Sequence, residues 1–94
     1  NVIFMQKQIV LKIYGKVQGV FFRDSSKKKA RELNLSGWVR NESDGTVVIV
    51  AEGEEKNLKE LIEWCKNGPN HARGDKVELE WCESTGHFDG FIIR

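Results

Sequence analysis

Residues 15–26, GKVQGVFFRDSS, place two glycines, an amide and an arginine between a run patterned like a β-strand and a run patterned like a helix. The amide hydrogens of a helix's first turn have no partner inside the helix, and the dipole there favours negative charge. Gly19 lets the backbone curl so that successive amides converge, and such a concave nest can hold a tetrahedral anion. Arg23 falls in that same first turn, where its guanidinium can donate a forked pair of hydrogen bonds to two phosphoryl oxygens. Its charge opposes the dipole, and an anion bound between the two would relieve the conflict. The same spacing also describes an ordinary strand-to-helix turn followed by a solvated arginine, so these residues alone leave both readings open. The stretch is neither the Gly-Lys-Ser/Thr phosphate loop nor the dinucleotide fingerprint, and neither ATP nor NAD is indicated.

The elements that must position this loop can be read from periodicity. QIVLKIYG at 8–15 alternates Ile9, Leu11 and Ile13 and predicts a strand. From Arg23 the period changes, and Phe22, Ser26, Ala30 and Leu33 fall on one helical stripe with Lys27, Lys28 and Lys29 on a solvated face. Asp24 and Ser25 suit the first turn as capping and dipole-matched residues. GWVRN at 37–41 predicts a second strand, and Asp44-Gly45 supplies the positive φ angles of a tight hairpin. TVVIVAE at 46–52 is apolar on both faces, as expected of a central strand. A second helix covers 54–67, with Leu58, Leu61, Ile62 and Cys65 on its stripe and Gly68-Pro69 as its stop. After a loop at 67–75, Val77, Leu79 and Trp81 alternate with acids in a fourth strand, and FIIR at 91–94 adds a short last one. Trp38, Trp64 and Trp81 are expected to be core or half-buried packing residues.

This order, β-α-β-β-α-β, is the split β-α-β arrangement: an α+β, ferredoxin-like antiparallel sheet with two helices on one face, plus a short C-terminal strand. The 94 residues make a single domain, 1–94, with 1–7 expected as a poorly structured N-terminal extension and Met5 as a candidate natural start. A net charge of +1 argues against a strongly basic nucleic-acid surface. No run approaches the roughly 18 apolar residues of a membrane span, and the N-terminus does not read as a signal peptide. Cys65 and Cys82 read as reduced thiols of a cytoplasmic protein, and a monomer is expected.

GKVQGVFFR at 15–23, followed by GWVRNESDGTV at 37–47, resembles the acylphosphatase family, whose signature is G-x-V-Q-G-V-x-F-R and then G-W-V-x-N with a following turn glycine. The later AEG, the GP, the acid-rich fourth strand and F-x-G-F-x-I extend the resemblance over residues 8–94. It implies hydrolysis of a small-molecule acyl phosphate to a carboxylate and inorganic phosphate, with no metal and no cofactor. It assigns the phosphoryl group to the loop of Val17, Gln18, Gly19, Val20, Phe21 and Phe22 together with Arg23, and the orientation of the attacking water to Asn41. Asp24, Ser25 and Ser26 depart from the bulky apolar residues usual after that arginine. Asp24 is expected to point away as a helix-start acid.

That list suits the chemistry. A carboxylate leaves without a general acid, and a loose phosphoryl-transfer transition state needs positioning and charge stabilisation above all. Guanidinium and amide donors supply the charge term, and a carboxamide can fix one water. Without the resemblance, Asn41 at a strand end before a turn reads first as a turn residue. Two other functions share the element order. One is an RNA-binding module, although the third strand carries no aromatic and the basic-aromatic run is absent. The other is a non-catalytic anion-binding accessory domain.

Overall fold

The computed structural model describes residues 6–67 and 73–94, with residues 73–75 described by their backbone only. The elements in chain order are β1 (Gln6–Lys16), α1 (Phe22–Glu32), β2 (Ser36–Asn41), β3 (Val47–Glu54), α2 (Glu55–Asn67), β4 (Arg73–Glu83) and β5 (Phe91–Ile93). They form one sheet in the order β4-β1-β3-β2-β5. The first four strands pair antiparallel, whereas β5 lies parallel to β2, so the five-stranded sheet is mixed. β3 is central, as its two-sided apolar pattern requires.

Alternation decides which face is buried. Ile9, Leu11 and Ile13 of β1 stand opposite Ala51, Ile49 and Val47 of β3, and all six are inaccessible to solvent. Phe22, Ser26 and Ala30 of α1 and Leu58, Leu61, Ile62 and Cys65 of α2 are the buried helical positions. Both helices therefore cover the same sheet face, and each large aliphatic chain buried there contributes roughly 1.5–3 kcal/mol before entropy is subtracted. Gly37 permits the close approach of β2 to β3, because a Cβ at this position would lie 1.9 Å from the Val50 carbonyl oxygen. The β5 strand is held by the Gly37 amide donating to the Gly90 carbonyl (2.9 Å) and the Arg94 amide donating to the Val39 carbonyl (2.8 Å).

Several expectations are corrected. Gln6 and Lys7 belong to β1, paired with Glu54 and Gly53, so the ordered strand starts inside the expected extension; residues 1–5 lie outside the described residues. β4 starts at Arg73 rather than Lys76, because β1 continues past a bulge at Tyr14/Gly15 and keeps a partner there. Leu79 and Trp81 stand opposite Leu11 and Ile9 but remain 42% and 38% exposed, because β4 is an edge strand. Trp64 packs on the Phe22 ring, with centroids 5.5 Å apart, and Trp38 lies half-buried on the open sheet face, stacked by the Arg40 and Arg94 guanidinium groups. The Gly68-Pro69 stop lies outside the described residues.

At the far end of β3 the chain wraps one of its own carboxylates. Glu52 is only 4% exposed. It accepts hydrogen bonds from the Gln8 amide, the Ser84 hydroxyl, the Thr85 amide and hydroxyl, and the Gly86 amide, all between 2.6 and 3.1 Å. Burial by itself would raise this carboxyl; the donors of Thr85, then Gly86 and Ser84, outweigh it and bring the pKa down to about 2. The link from β4 to β5 is anchored there.

Candidate active site

At the other end of β3, three segments meet around one cavity of about 390 Å³. The first is the turn between β1 and α1. Val17 is its anchor, 1% exposed in the core, with its amide donating back to the Gly15 carbonyl (3.1 Å). Gln18 points sideways, and its side-chain amide donates to the Glu42 carbonyl (2.8 Å) and the Thr46 carbonyl (2.9 Å). Gly19 has φ 75°, and nothing lies within 4 Å of where a Cβ would stand, so backbone conformation rather than space calls for glycine here. Val20 is half-buried against the core. Phe21 carries φ 61° and ψ 24°, a left-handed conformation that is unusual for an aromatic residue, and it is 79% exposed.

The helix then starts at Phe22, which is 1% exposed. The expected capping by Asp24 or Ser25 is not used. Phe21 occupies the capping position and no side chain caps the helix, while the Ser26 hydroxyl donates to the Arg23 carbonyl (3.0 Å). Among the described residues, no turn or cap hydrogen bond is donated by an amide of residues 18–24. Two left-handed residues in three, Gly19 and Phe21, therefore shape a turn whose donors have no internal acceptor.

The second segment is the end of β2. Asn41, its last residue, lines the cavity, and its Oδ1 is buried without a hydrogen-bond partner. Arg40 Nε is likewise buried without a protein partner, but of the two residues only Asn41 lines the cavity. The hairpin after β2 runs through Glu42–Thr46 and lacks the positive φ expected at Asp44. Gly45 alone has a positive φ (90°), and Asp44 acts through its carboxylate. That group accepts from the Thr46 hydroxyl (2.6 Å) and amide (3.0 Å) and pairs with Lys12 at 3.1 Å. The Thr46 hydroxyl and amide, then Lys12, lower the Asp44 carboxyl to about 2, and Asp44 in turn raises the Lys12 ammonium. Gln18 thus ties the turn to a hairpin that is itself locked.

The third segment is β5, whose Ile93 borders the cavity. Arg23 and Asp24 both line it as well, and no ion pair within 4 Å joins them among the described residues. The expectation that Asp24 points away is corrected to this extent: it borders the same cavity as Arg23. Of the residues singled out by sequence, Val17, Gly19, Phe21, Phe22, Arg23 and Asn41 line the cavity, whereas Gln18 and Val20 support it from behind. Ile93, the last position of the F-x-G-F-x-I stretch, was not assigned to the site, because its place there follows from a parallel pairing with Val39, 54 positions away. No group of three His, Cys, Asp or Glu side chains among the described residues is placed to hold a metal ion.

Fold and cavity together define a ferredoxin-like α+β domain with a donor-rich hollow at one end of its sheet. The profile of the acylphosphatase family matches residues 9–93. An acylphosphatase of Rubrobacter xylanophilus is 48% identical over 88 residues, which cover 94% of this chain and 80% of the relative. The structure of an acylphosphatase from Coxiella burnetii superposes with a TM-score of 0.87 at 43% identity, covering 95% of this chain and 93% of that one. The crystal structure of acylphosphatase from Bacillus subtilis gives a TM-score of 0.91 at 34% identity, with 94% and 98% covered. The chain belongs to the acylphosphatase family.

Proposed function

We propose that the hollow at the turn of residues 17–22 is the active site of this acylphosphatase, a hydrolase of carboxyl–phosphate anhydrides. The amides of the turn and the Arg23 guanidinium hold the phosphoryl oxygens, and the Asn41 carboxamide orients the attacking water. Water's oxygen bonds to phosphorus, the bond from phosphorus to the acyl oxygen breaks, and the carboxylate leaves with the electron pair. The water proton passes to the phosphoryl group, giving inorganic phosphate. No side chain near Asn41 needs to act as a base, and no metal or cofactor enters the reaction. The donors are fixed before substrate arrives, because Gln18, Asp44 and Thr46 brace the turn against the hairpin. Fixed donors in a sheltered site stabilise developing charge without reorganisation.

One observation carries the reading: turn residues whose amides have no internal acceptor, an arginine without an ion pair among the described residues, and Asn41, whose carboxamide oxygen has no protein partner, all border one cavity. We further propose a cytoplasmic monomer. Cys65 and Cys82 are both free, and burial pushes the Cys65 thiol up to about 12, which suits an inert core residue rather than a reactive one. Steady-state hydrolysis of acetyl and benzoyl phosphate, run with and without a chelator, tests the assignment. Turnover of both that is insensitive to chelation is expected; absence of turnover on either overturns it.

A further inference from the structure

The cavity is larger than its phosphoryl end needs. A phosphoryl group displaces on the order of two or three waters, at about 30 Å³ each, and so leaves most of the roughly 390 Å³ for whatever is attached to it. The character of that remainder can be read from its walls. Val17 and Phe22 form a buried apolar floor, and Ile93 adds an aliphatic side chain from β5. Phe21 lines the same cavity and is 79% exposed. Its left-handed backbone costs about 1–2 kcal/mol relative to glycine at such a position. A phenylalanine thus stands at the cavity although neither packing nor backbone favours one there. The charged groups bordering the cavity are Arg23 and Asp24, and only the latter is negative.

We infer that Phe21 and Ile93 form an acyl-side subsite that selects acyl phosphates with an uncharged, apolar acyl group, aromatic ones above all, and that Asp24 disfavours acyl groups carrying a second negative charge. The inference rests on the acyl-phosphate reading of the site. A ring stacked or edge-on against Phe21 adds aromatic contact to area burial. A carboxylate on the acyl group would instead share the cavity with Asp24, where like charges repel measurably at low salt.

The test compares kcat/KM for benzoyl, acetyl and succinyl phosphate in the same enzyme preparation, at low ionic strength. Ratios between substrates cancel any loss of folded protein, so a destabilised variant still reports. Phe21→Ala is expected to lower the benzoyl-to-acetyl ratio roughly five- to tenfold, and Ile93→Ala to lower it by about threefold. Asp24→Asn is expected to raise the succinyl-to-acetyl ratio by about threefold while leaving the benzoyl-to-acetyl ratio in place, with the gain shrinking as salt is added. Benzoyl-to-acetyl ratios that stay within about twofold of wild type in both apolar variants overturn the subsite. A succinyl-to-acetyl ratio unmoved in Asp24→Asn overturns the charge filter. If the wild-type protein hydrolyses none of the three, the acyl-phosphate reading itself falls, an outcome distinct from unchanged ratios in an active enzyme.

Discussion

The two ends of β3 use the same chemistry for opposite purposes. Near Glu52, backbone amides and hydroxyls of Ser84, Thr85 and Gly86 converge on an anion, and the anion is part of the chain. Near Val47, the amides of residues 18–24 are held in a comparable turn, with no internal acceptor for them among the described residues. The first nest is satisfied on folding and contributes stability. The second leaves its donors open, as the proposed phosphoryl site requires, with an Asn41 oxygen that has no protein partner and a left-handed phenylalanine beside it. A nest is thus structural or functional according to where its negative charge comes from, and substitutions at the two ends should separate activity from stability.

Arg23→Ala should have the largest effect on turnover. Loss of its paired donors is expected to lower kcat by roughly 10²- to 10³-fold on acetyl or benzoyl phosphate, with little change in thermal midpoint because the side chain is exposed and makes no ion pair among the described residues. Wild-type turnover in this variant would remove the site assignment.

Asn41→Ala should come next, with kcat reduced about 100-fold. Competitive inhibition by inorganic phosphate should survive, because the phosphoryl donors remain. Its midpoint should not fall, since the substitution removes a buried oxygen that has no partner. Lost phosphate inhibition would place Asn41 among the phosphate binders instead.

Gln18→Ala removes two hydrogen bonds and leaves the Glu42 and Thr46 carbonyls without those donors. We expect kcat/KM to drop about tenfold, with a modest loss of stability, as each such bond contributes about 1 kcal/mol. An unchanged kcat/KM would show that the turn keeps its shape without the brace.

Glu52→Gln should have the smallest effect on activity, within twofold per folded molecule, and the clearest effect on stability. The carboxyl titrates at about 2 in the folded chain against an ordinary value of 4.5, so its contribution is fully present above about 4.5 and is lost as pH falls through about 2. Denaturation followed by circular dichroism from pH 7 to 2 should show the wild type losing stability across this window and Glu52→Gln losing less of it. Asp44, lowered from 3.8 to about 2, keeps some acid sensitivity in the variant. Identical pH profiles for the two proteins would sink the account of the filled nest.

Much of this was legible in the chain. The period-two run of Ile9, Leu11 and Ile13 and the period-3.6 run of Leu58, Leu61, Ile62 and Cys65 are local signatures of one buried face, and those faces are buried. The Gly19 turn and Arg23 are consecutive in sequence, so their proximity needed no long-range contact. Legibility failed where a neighbour decided the outcome. Asp44 looked like a positive-φ turn residue and instead uses its carboxylate on Thr46 and Lys12. Leu79 and Trp81 alternate like core residues and stay partly exposed because their strand ended up at the sheet edge.

Local spacing therefore determined the element types, their order and which faces are apolar, since these depend on interactions between residues a few positions apart. Strand order, the parallel seat of β5 and its Ile93 at the cavity, the brace from Gln18 to two hairpin carbonyls, and the capture of Glu52 by residues 84–86 were decided only in three dimensions. The brace, the Glu52 capture and the β2–β5 pairing join residues 24 to 54 positions apart in the chain. No local preference encodes such pairings; they form because the buried faces admit few arrangements that also satisfy every polar group inside.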